Sequence, residues 1–200
     1  MRVSRAQAEE NRQTVINVAS RLFREHGFDG IGLKELMKGA GLTQGAFYKQ
    51  FASKEDLAAQ ASKRAFESVS GRWSDAAEAN PDDPLGAVLA FYLSEGHREE
   101  KMDGCPVAAL GSDAARQSED VKASFEAGIK AHIKFLSRLL DEADGEETEA
   151  KAMAVLSTMV GALILSRSVN DERLSKRLLH AAANTAQKAS SAGNTAQRRK

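Results

Sequence analysis

The chain has 200 residues, 42% hydrophobic and 28% charged, and a formal net charge of zero. That composition is globular, and it excludes a global basic field, so any contact with nucleic acid must come from a local patch. One cysteine excludes an intrachain disulfide. No uninterrupted apolar run reaches the ~18 residues of a spanning helix, and the opening "MRVSRAQAEENRQ" has no apolar signal core; no membrane association and a cytoplasmic location are expected.

Three prolines, abundant alanine and scattered β-branched residues point to an all-α chain. Val15, Val18, Ala19, Leu22 and Phe23 recur at helical spacing and predict a helix over 7–26, ended by the glycines of "HGFDGIG" at 26–32. Leu33, Leu36, Met37 and Ala40 line one face of a short helix over 33–40, and Gly41 suits a left-handed turn. Thr43 is placed to cap a third helix over 44–50. "SKED" at 53–56 is a Ser-x-x-Asp capping box opening a helix of about 54–78. After the break "NPDDP" at 80–84 one helix is expected over 84–98, and after "DGCP" at 103–106 a short one near 106–116. Val121, Phe125, Ile129, Ile133, Leu136 and Leu140 mark a long helix over 119–143. "DGEE" at 144–147 reads as an acidic turn, followed by helices over 147–168 and 171–189. The polar tail 190–200 has no apolar stripe and is expected to be disordered.

Two short helices joined by a glycine-containing turn of three residues describe a helix-turn-helix, whose second helix enters the major groove. Residues 41–51, "GLTQGAFYKQF", fit that task. Leu42, Phe47 and Phe51 face inward and lock this helix against its neighbours. Gln44 with Tyr48, and Gly45 with Lys49, are i,i+4 pairs on the outer face. Gly45 and Ala46 are small enough for DNA to come close. Gln44, at the helix tip, has the amide that reads adenine N6 and N7. Tyr48 reaches a phosphate through its hydroxyl, Lys49 a phosphate or a guanine edge, and Lys54 a second phosphate. Arg2, Arg5 and Arg12 lie in a segment that either reaches the minor groove or phosphates or is disordered. The competing reading of 41–51 is ordinary packing of a small helix, with Tyr48 half buried.

Ala19, Leu22, Phe23, Gly27 and Phe28 close the first helix, Ala40, Gly41, Leu42 and Thr43 cross the turn, and Tyr48, Phe51, Lys54, Glu55 and Leu57 follow. In this order, over 15–57, the sequence resembles the TetR family of bacterial transcriptional repressors. The resemblance implies a helix-turn-helix DNA-binding domain of three helices over 1–54 and a helical effector-binding and dimerisation domain over 55–189. It implies a homodimer on a pseudo-palindromic operator in double-stranded DNA, released by an effector. Lys34 matches a position that often contacts DNA, and Thr43 one that caps the reading helix and touches a phosphate. Gly32 stands where the family usually has threonine, so one phosphate contact is expected to be missing. Met37 stands where alanine is usual, so the packing of the two short helices is expected to differ.

The stretch "AKAMAVLSTMVGALILSRSV" at 150–169 is apolar around most of its circumference, which calls for a partner. Met153, Leu156, Val160, Leu163 and Ile164, with Leu174, Leu178, Leu179 and Ala182 of the last helix, predict a four-helix interface between two copies; the alternative is the core of one subunit. Phe91, Tyr92, Met102, Phe125, Ile129 and His132 are candidate linings of the small-molecule effector pocket, though all are also ordinary core residues. Cys105 stands at an N-cap-like position before Pro106, where a helix N-terminus favours the thiolate. It is a candidate sensor of oxidants or electrophiles, and Gly-Cys at this place resembles a subset of the family, some of whose members use it to sense electrophiles; the alternative is a buried core thiol. Four histidines and one cysteine show no ligand spacing, so no metal and no cofactor are expected. No phosphate loop or nucleophile–base arrangement points to an enzyme. The competing function is a helical small-molecule binder or scaffold that keeps the fold without binding DNA.

Overall fold

The computed structural model describes residues 4–140 and 145–197, and side chains as far as residue 188. Among the described residues every regular element is helical. Helix α1 (Arg5–His26) begins at Ser4, whose hydroxyl accepts the Gln7 amide at 3.1 Å. Helix α2 (Leu33–Gly39) ends in a Schellman turn. The Leu42 N–H reaches the Met37 carbonyl at 2.9 Å and the Gly41 N–H the Lys38 carbonyl at 3.0 Å. Gly41 has φ +70°, a left-handed conformation in which a side chain is strained. The turn delivers the chain into a 3-10 helix (Gln44–Lys49), where an α-helix over 44–50 is expected from the sequence.

The capping box at the start of α3 (Lys54–Ala79) forms with one change. Ser53 Oγ accepts the Asp56 N–H at 3.1 Å, but the Asp56 carboxylate returns to the Ala52 N–H, at 3.0 Å, one residue earlier than the cap itself. The single helix expected over 84–98 is two, α4 (Pro84–Tyr92) and α5 (Glu95–Glu99). Ser94 takes the His97 amide at 3.0 Å and caps a new helix, the competition that keeps serine out of helix interiors. Then come α6 (Pro106–Ala114), α7 (Glu119–Leu140), α8 (Glu146–Arg167) and α9 (Glu172–Gln197). α9 runs past its expected end at 189, so 190–197 continue the helix even though Ser, Gly, Asn and Thr in that stretch have low helix propensity. Residues 198–200 of the expected disordered tail lie outside the described residues, as does residue 144 of the expected acidic turn.

The helices form two compact units, residues 1–68 with 101–128, and 69–100 with 129–200; α3 and α7 contribute to both. In the first unit α2 and α6 pack on α1. Phe23, Phe28, Phe125 and Phe66 make a continuous aromatic line, with centroids 5.2, 6.4 and 5.3 Å apart. Met37 is fully buried. The segment before α6 is tied to α1 by charge: Arg21 grips Asp103 with two bonds of 2.9 Å, and the buried Arg24 donates to the Gly104 carbonyl at 2.8 Å.

In the second unit α8 lies along α9, α4 packs on α9 and α5 on α8. Arg167 donates to the carbonyls of Arg98 (2.9 Å) and His97 (2.8 Å), groups that the end of α5 leaves without helical partners. Arg98 donates to Ser175 Oγ at 2.8 Å, and Ser175 in turn to the Ser166 carbonyl at 2.7 Å. Helix α8 is by length and composition long and apolar enough to cross a membrane, though its apolar run is broken by polar residues, and only 39% of its most apolar stretch is buried within the subunit.

Close packing in the first unit makes Gly128 critical. A Cβ on Gly128 falls 2.2 Å from the Phe66 ring. Gly128→Ala is expected to destabilise the protein by about 1–3 kcal/mol, measured as a lower urea midpoint at an unchanged m value.

Candidate nucleic-acid interface

The 3-10 helix buries one side chain and exposes the rest of its outer face. Phe47 is 1% exposed. It stacks on Phe51 (5.3 Å, 25°) and meets Tyr48 edge-on (5.3 Å, 87°). Gln44, Gly45, Tyr48 and Lys49 are exposed and Ala46 is half-buried. Tyr48 is 69% exposed, which excludes its half-buried packing role. A Cβ on Gly45 meets nothing within 4 Å, so the surface there is open to an approaching partner.

Two details differ from expectation. With three residues per turn, a 3-10 helix aligns i with i+3, so Gly45 shares a line with Tyr48 and Ala46 with Lys49, replacing the i,i+4 pairs. Thr43 occupies the N-cap position, but its hydroxyl makes no capping bond; its carbonyl accepts the Ala46 N–H at 3.0 Å, in the 3-10 pattern. Lys34 is exposed on α2 and Lys54 is half-buried at the start of α3. Over 33–54 there are four lysines and one glutamate, a local excess of three positive charges in a chain of net charge zero. Gly32 caps α2 without any side-chain bond. Arg5 is exposed at the start of α1, and Arg2 lies outside the described residues. Arg12 is engaged within the chain, donating to Gln60 and lying over the Phe51 ring. An open cleft of about 510 Å³ between the end of α1 and α2, edged by His26, Glu35 and Lys38, has no counterpart in the sequence reading.

The expected interface residues on α8 and α9 separate by burial. Leu156, Leu163 and Leu179 are 6%, 0% and 3% exposed and belong to the subunit's own core, not to its surface. Met153, Ile164 and Leu174 are exposed, and Val160 and Leu178 half-buried. Leu165, which the sequence pattern does not single out, is likewise exposed, at 54%. A helix apolar on all sides carries no sign of which stripe faces inward.

The expected effector residues also separate. Tyr92 and His132, fully buried in the second unit, meet at Trp73, the only tryptophan of the chain. The indole stacks on the imidazole (4.3 Å, 24°) and meets the Tyr92 ring edge-on (5.7 Å, 78°). Trp73 Nε1 is buried and has no hydrogen-bond partner among the described residues. Half-buried Phe91 stacks on His97 (5.6 Å, 18°) and carries the Arg72 guanidinium at 4.8 Å. Ile129 is half-buried in the same unit. Trp73 was missed, although Phe66, Val69 and Trp73 recur at spacings of three and four, a legible core stripe. Met102, Cys105 and Phe125 belong instead to the first unit, with Phe125 set between Phe28 and Phe66. Cys105 holds the N-cap position of α6, before Pro106, and is 0% exposed.

The His97 Nδ1–H donates to the Tyr92 carbonyl at 2.7 Å, since a carbonyl can only accept. Burial lowers the His97 pKa, partly opposed by that bond. Burial alone lowers His132 to about 4, so its ring is neutral at pH 7.

A glycine-turned helix pair with a buried aromatic anchor and a basic outer face defines a helix-turn-helix DNA-binding protein. The pattern described as "Bacterial regulatory proteins, tetR family" matches residues 15–61, and that of the "Transcriptional regulator LmrA/YxaF-like, C-terminal domain" matches residues 81–185. The chain belongs to the TetR family of transcriptional regulators, which are DNA-binding proteins and not enzymes. The HTH-type transcriptional regulator LmrA of Bacillus subtilis (strain 168) is 27% identical over 176 residues, 86% of this chain and 92% of that one. The HTH-type transcriptional repressor NemR of Escherichia coli (strain K12) is 26% identical over 135 residues, 66% and 68% of the two chains. Among solved structures, the reduced form of E. coli NemR has a TM-score of 0.74 at 22% identity, over 90% of this chain and 96% of that one. A TetR-family regulator from Cytophaga hutchinsonii has a TM-score of 0.75 at 18% identity, over 94% and 98%. These two establish likeness of fold.

The buried imidazole makes stability depend on pH. The unfolded ring has its ordinary value of 6.5 and the folded ring about 4. Above pH 6.5 both states are neutral and stability is complete. As the pH falls below 6.5 the unfolded state takes up the proton first, and stability declines until the folded ring protonates near 4. The loss through His132 is roughly 3 kcal/mol, and His97 acts with the same sign. His132→Phe is expected to flatten the decline between pH 6.5 and 4 in urea unfolding; an unchanged slope assigns it to other groups.

Proposed function

We propose that this regulator is a cytoplasmic repressor that binds a pseudo-palindromic operator in double-stranded DNA as a homodimer and leaves it when a small-molecule effector binds. The observation that carries the DNA reading is the face formed by exposed Gln44, Gly45, Tyr48 and Lys49, backed by buried Phe47 within a local patch of positive charge. Gln44 reads a base edge, and Gly45 and Ala46 let the backbone approach. Tyr48, Lys49, Lys54, Lys34 and Thr43 meet phosphates. The sign of regulation is supported by the name of the related repressor NemR.

Dimerisation is supported by Met153, Ile164, Leu165 and Leu174, large apolar side chains left exposed on α8 and α9. A second copy covers them with the same surface, and that cover suits an apolar helix such as α8 as well as a bilayer does. The cluster of Trp73, Tyr92, Phe91 and His132 suits an uncharged, largely apolar effector with one hydrogen-bond acceptor for Trp73 Nε1. Cys105 is as fully buried as Trp73, Tyr92 and His132, so a thiol-reactive effector and a non-covalent one alike reach their site only when the helices part.

Selection of bound duplexes from a random pool by the purified protein tests the DNA reading. The expected result is a palindromic motif with half-sites about one helical turn, or a multiple of it, apart; a pool without enrichment overturns the reading. Gln44→Ala is expected to relax preference at one base pair per half-site by about 1–3 kcal/mol, whereas Tyr48→Phe weakens binding to all sequences alike. Replacing Ile164 and Leu165 together by glutamate is expected to give monomers in sedimentation equilibrium that no longer bind the palindrome; a surviving dimer places the interface elsewhere.

A further inference from the structure

The first unit contains a relay of side chains that none of the proposed DNA contacts uses. Arg12, near the start of α1, donates through Nη2 to Gln60 Oε1 on α3. Gln60 Nε2 donates to Asp56 Oδ1 at 2.7 Å, and Asp56 Oδ2 accepts the Ala52 N–H at 3.0 Å. The Arg12 guanidinium also lies 5.5 Å from the centroid of Phe51, which stacks on Phe47. The relay therefore reaches the reading helix by two routes. One passes through stacked rings to its buried anchor, and the other through hydrogen bonds to the turn that joins it to α3.

The chemistry of the middle residue is specific. Arginine only donates and an ionised carboxylate only accepts, so the group between them must accept on one side and donate on the other. An amide does both; a glutamate or a lysine does not. Ala52 is exposed, where an amide ordinarily turns to water, yet its N–H is held by a carboxylate whose orientation Gln60 fixes. Arg12 is itself only 31% exposed and further paired with Glu9 at 3.8 Å.

We infer that Arg12, Gln60 and Asp56 are positioning residues for DNA recognition: they fix the 50–53 turn and so the placement of Tyr48 and Lys49 relative to Lys54. Phosphates along a strand are regularly spaced, and groups on the two sides of a loose turn do not meet them together without an entropic cost. The inference rests on the DNA reading of the 44–49 helix.

The test uses the full chain and the duplex that the wild-type protein selects from the random pool. Gln60→Glu keeps an acceptor for Arg12 and sets a carboxylate against Asp56. It is expected to weaken binding about tenfold while leaving the slope of log K against log [salt] unchanged, because no phosphate contact is lost. Adding Asp56→Asn returns a donor to the pair with its direction reversed and still leaves an oxygen for the Ala52 N–H, so the double variant is expected to regain affinity. Amide exchange at 50–53 is expected to quicken in the single variant and slow again in the double. Lys54→Ala, by contrast, is expected to lower the slope by about one. Unchanged affinity in Gln60→Glu, or no recovery in the double variant, overturns the relay. A drop of about one in the slope for Arg12→Ala makes Arg12 a phosphate contact and overturns it too. A wild-type protein that selects no duplex overturns the DNA reading itself, a failure visible before any variant is made.

Discussion

Burial of Phe47 is the interaction on which the proposed reading surface depends. A 3-10 helix of six residues has no stability of its own: its hydrogen bonds are poorly aligned, and helices this short are marginal in water. Sinking one phenylalanine to 1% exposure contributes on the order of 1.5–3 kcal/mol, and stacking on Phe51 adds to it. With Phe47 inward, the backbone leaves Gln44, Gly45, Tyr48 and Lys49 outward. The Schellman turn at Gly41 sets the angle at which the chain enters, and the capped start of α3 sets the angle at which it leaves.

The two units meet different physical demands. The first concentrates lysine around a short helix in a chain with no net charge, and its internal order comes from aromatic contacts and from buried or paired arginines. Arg24 illustrates this, with a guanidinium sealed in the core and satisfied by backbone carbonyls. The second unit has in α8 a helix too apolar for one core to cover. One stripe, with Leu156 and Leu163, fills the subunit, and another, with Met153, Ile164 and Leu165, is left on the outside.

The residues that could be placed from sequence are those whose role is set by near neighbours. Gly41 at the turn, Ser53 at the cap and Pro106 after Cys105 each answer a local need of the backbone, and each occupies the place expected of it. The break at Ser94 was overlooked because no proline interrupts residues 85–99, while a single hydroxyl decides where the new helix starts. The expected pocket residues were grouped by chemistry alone. Packing gives Tyr92 and His132 to Trp73, and assigns Met102, Cys105 and Phe125 to the first unit.

The sequence by itself determined the all-helical fold, the position of the helix-turn-helix and the family, because helix periodicity, caps and turn glycines act over three or four residues. Only the tertiary structure decided which leucines of α8 lie inside, that Cys105 is sealed from solvent, and that Arg12 is committed to Gln60 and Phe51. Those outcomes depend on side chains brought together from dozens of residues apart, and spacing along the chain says nothing about which of several equally apolar or equally charged groups will meet.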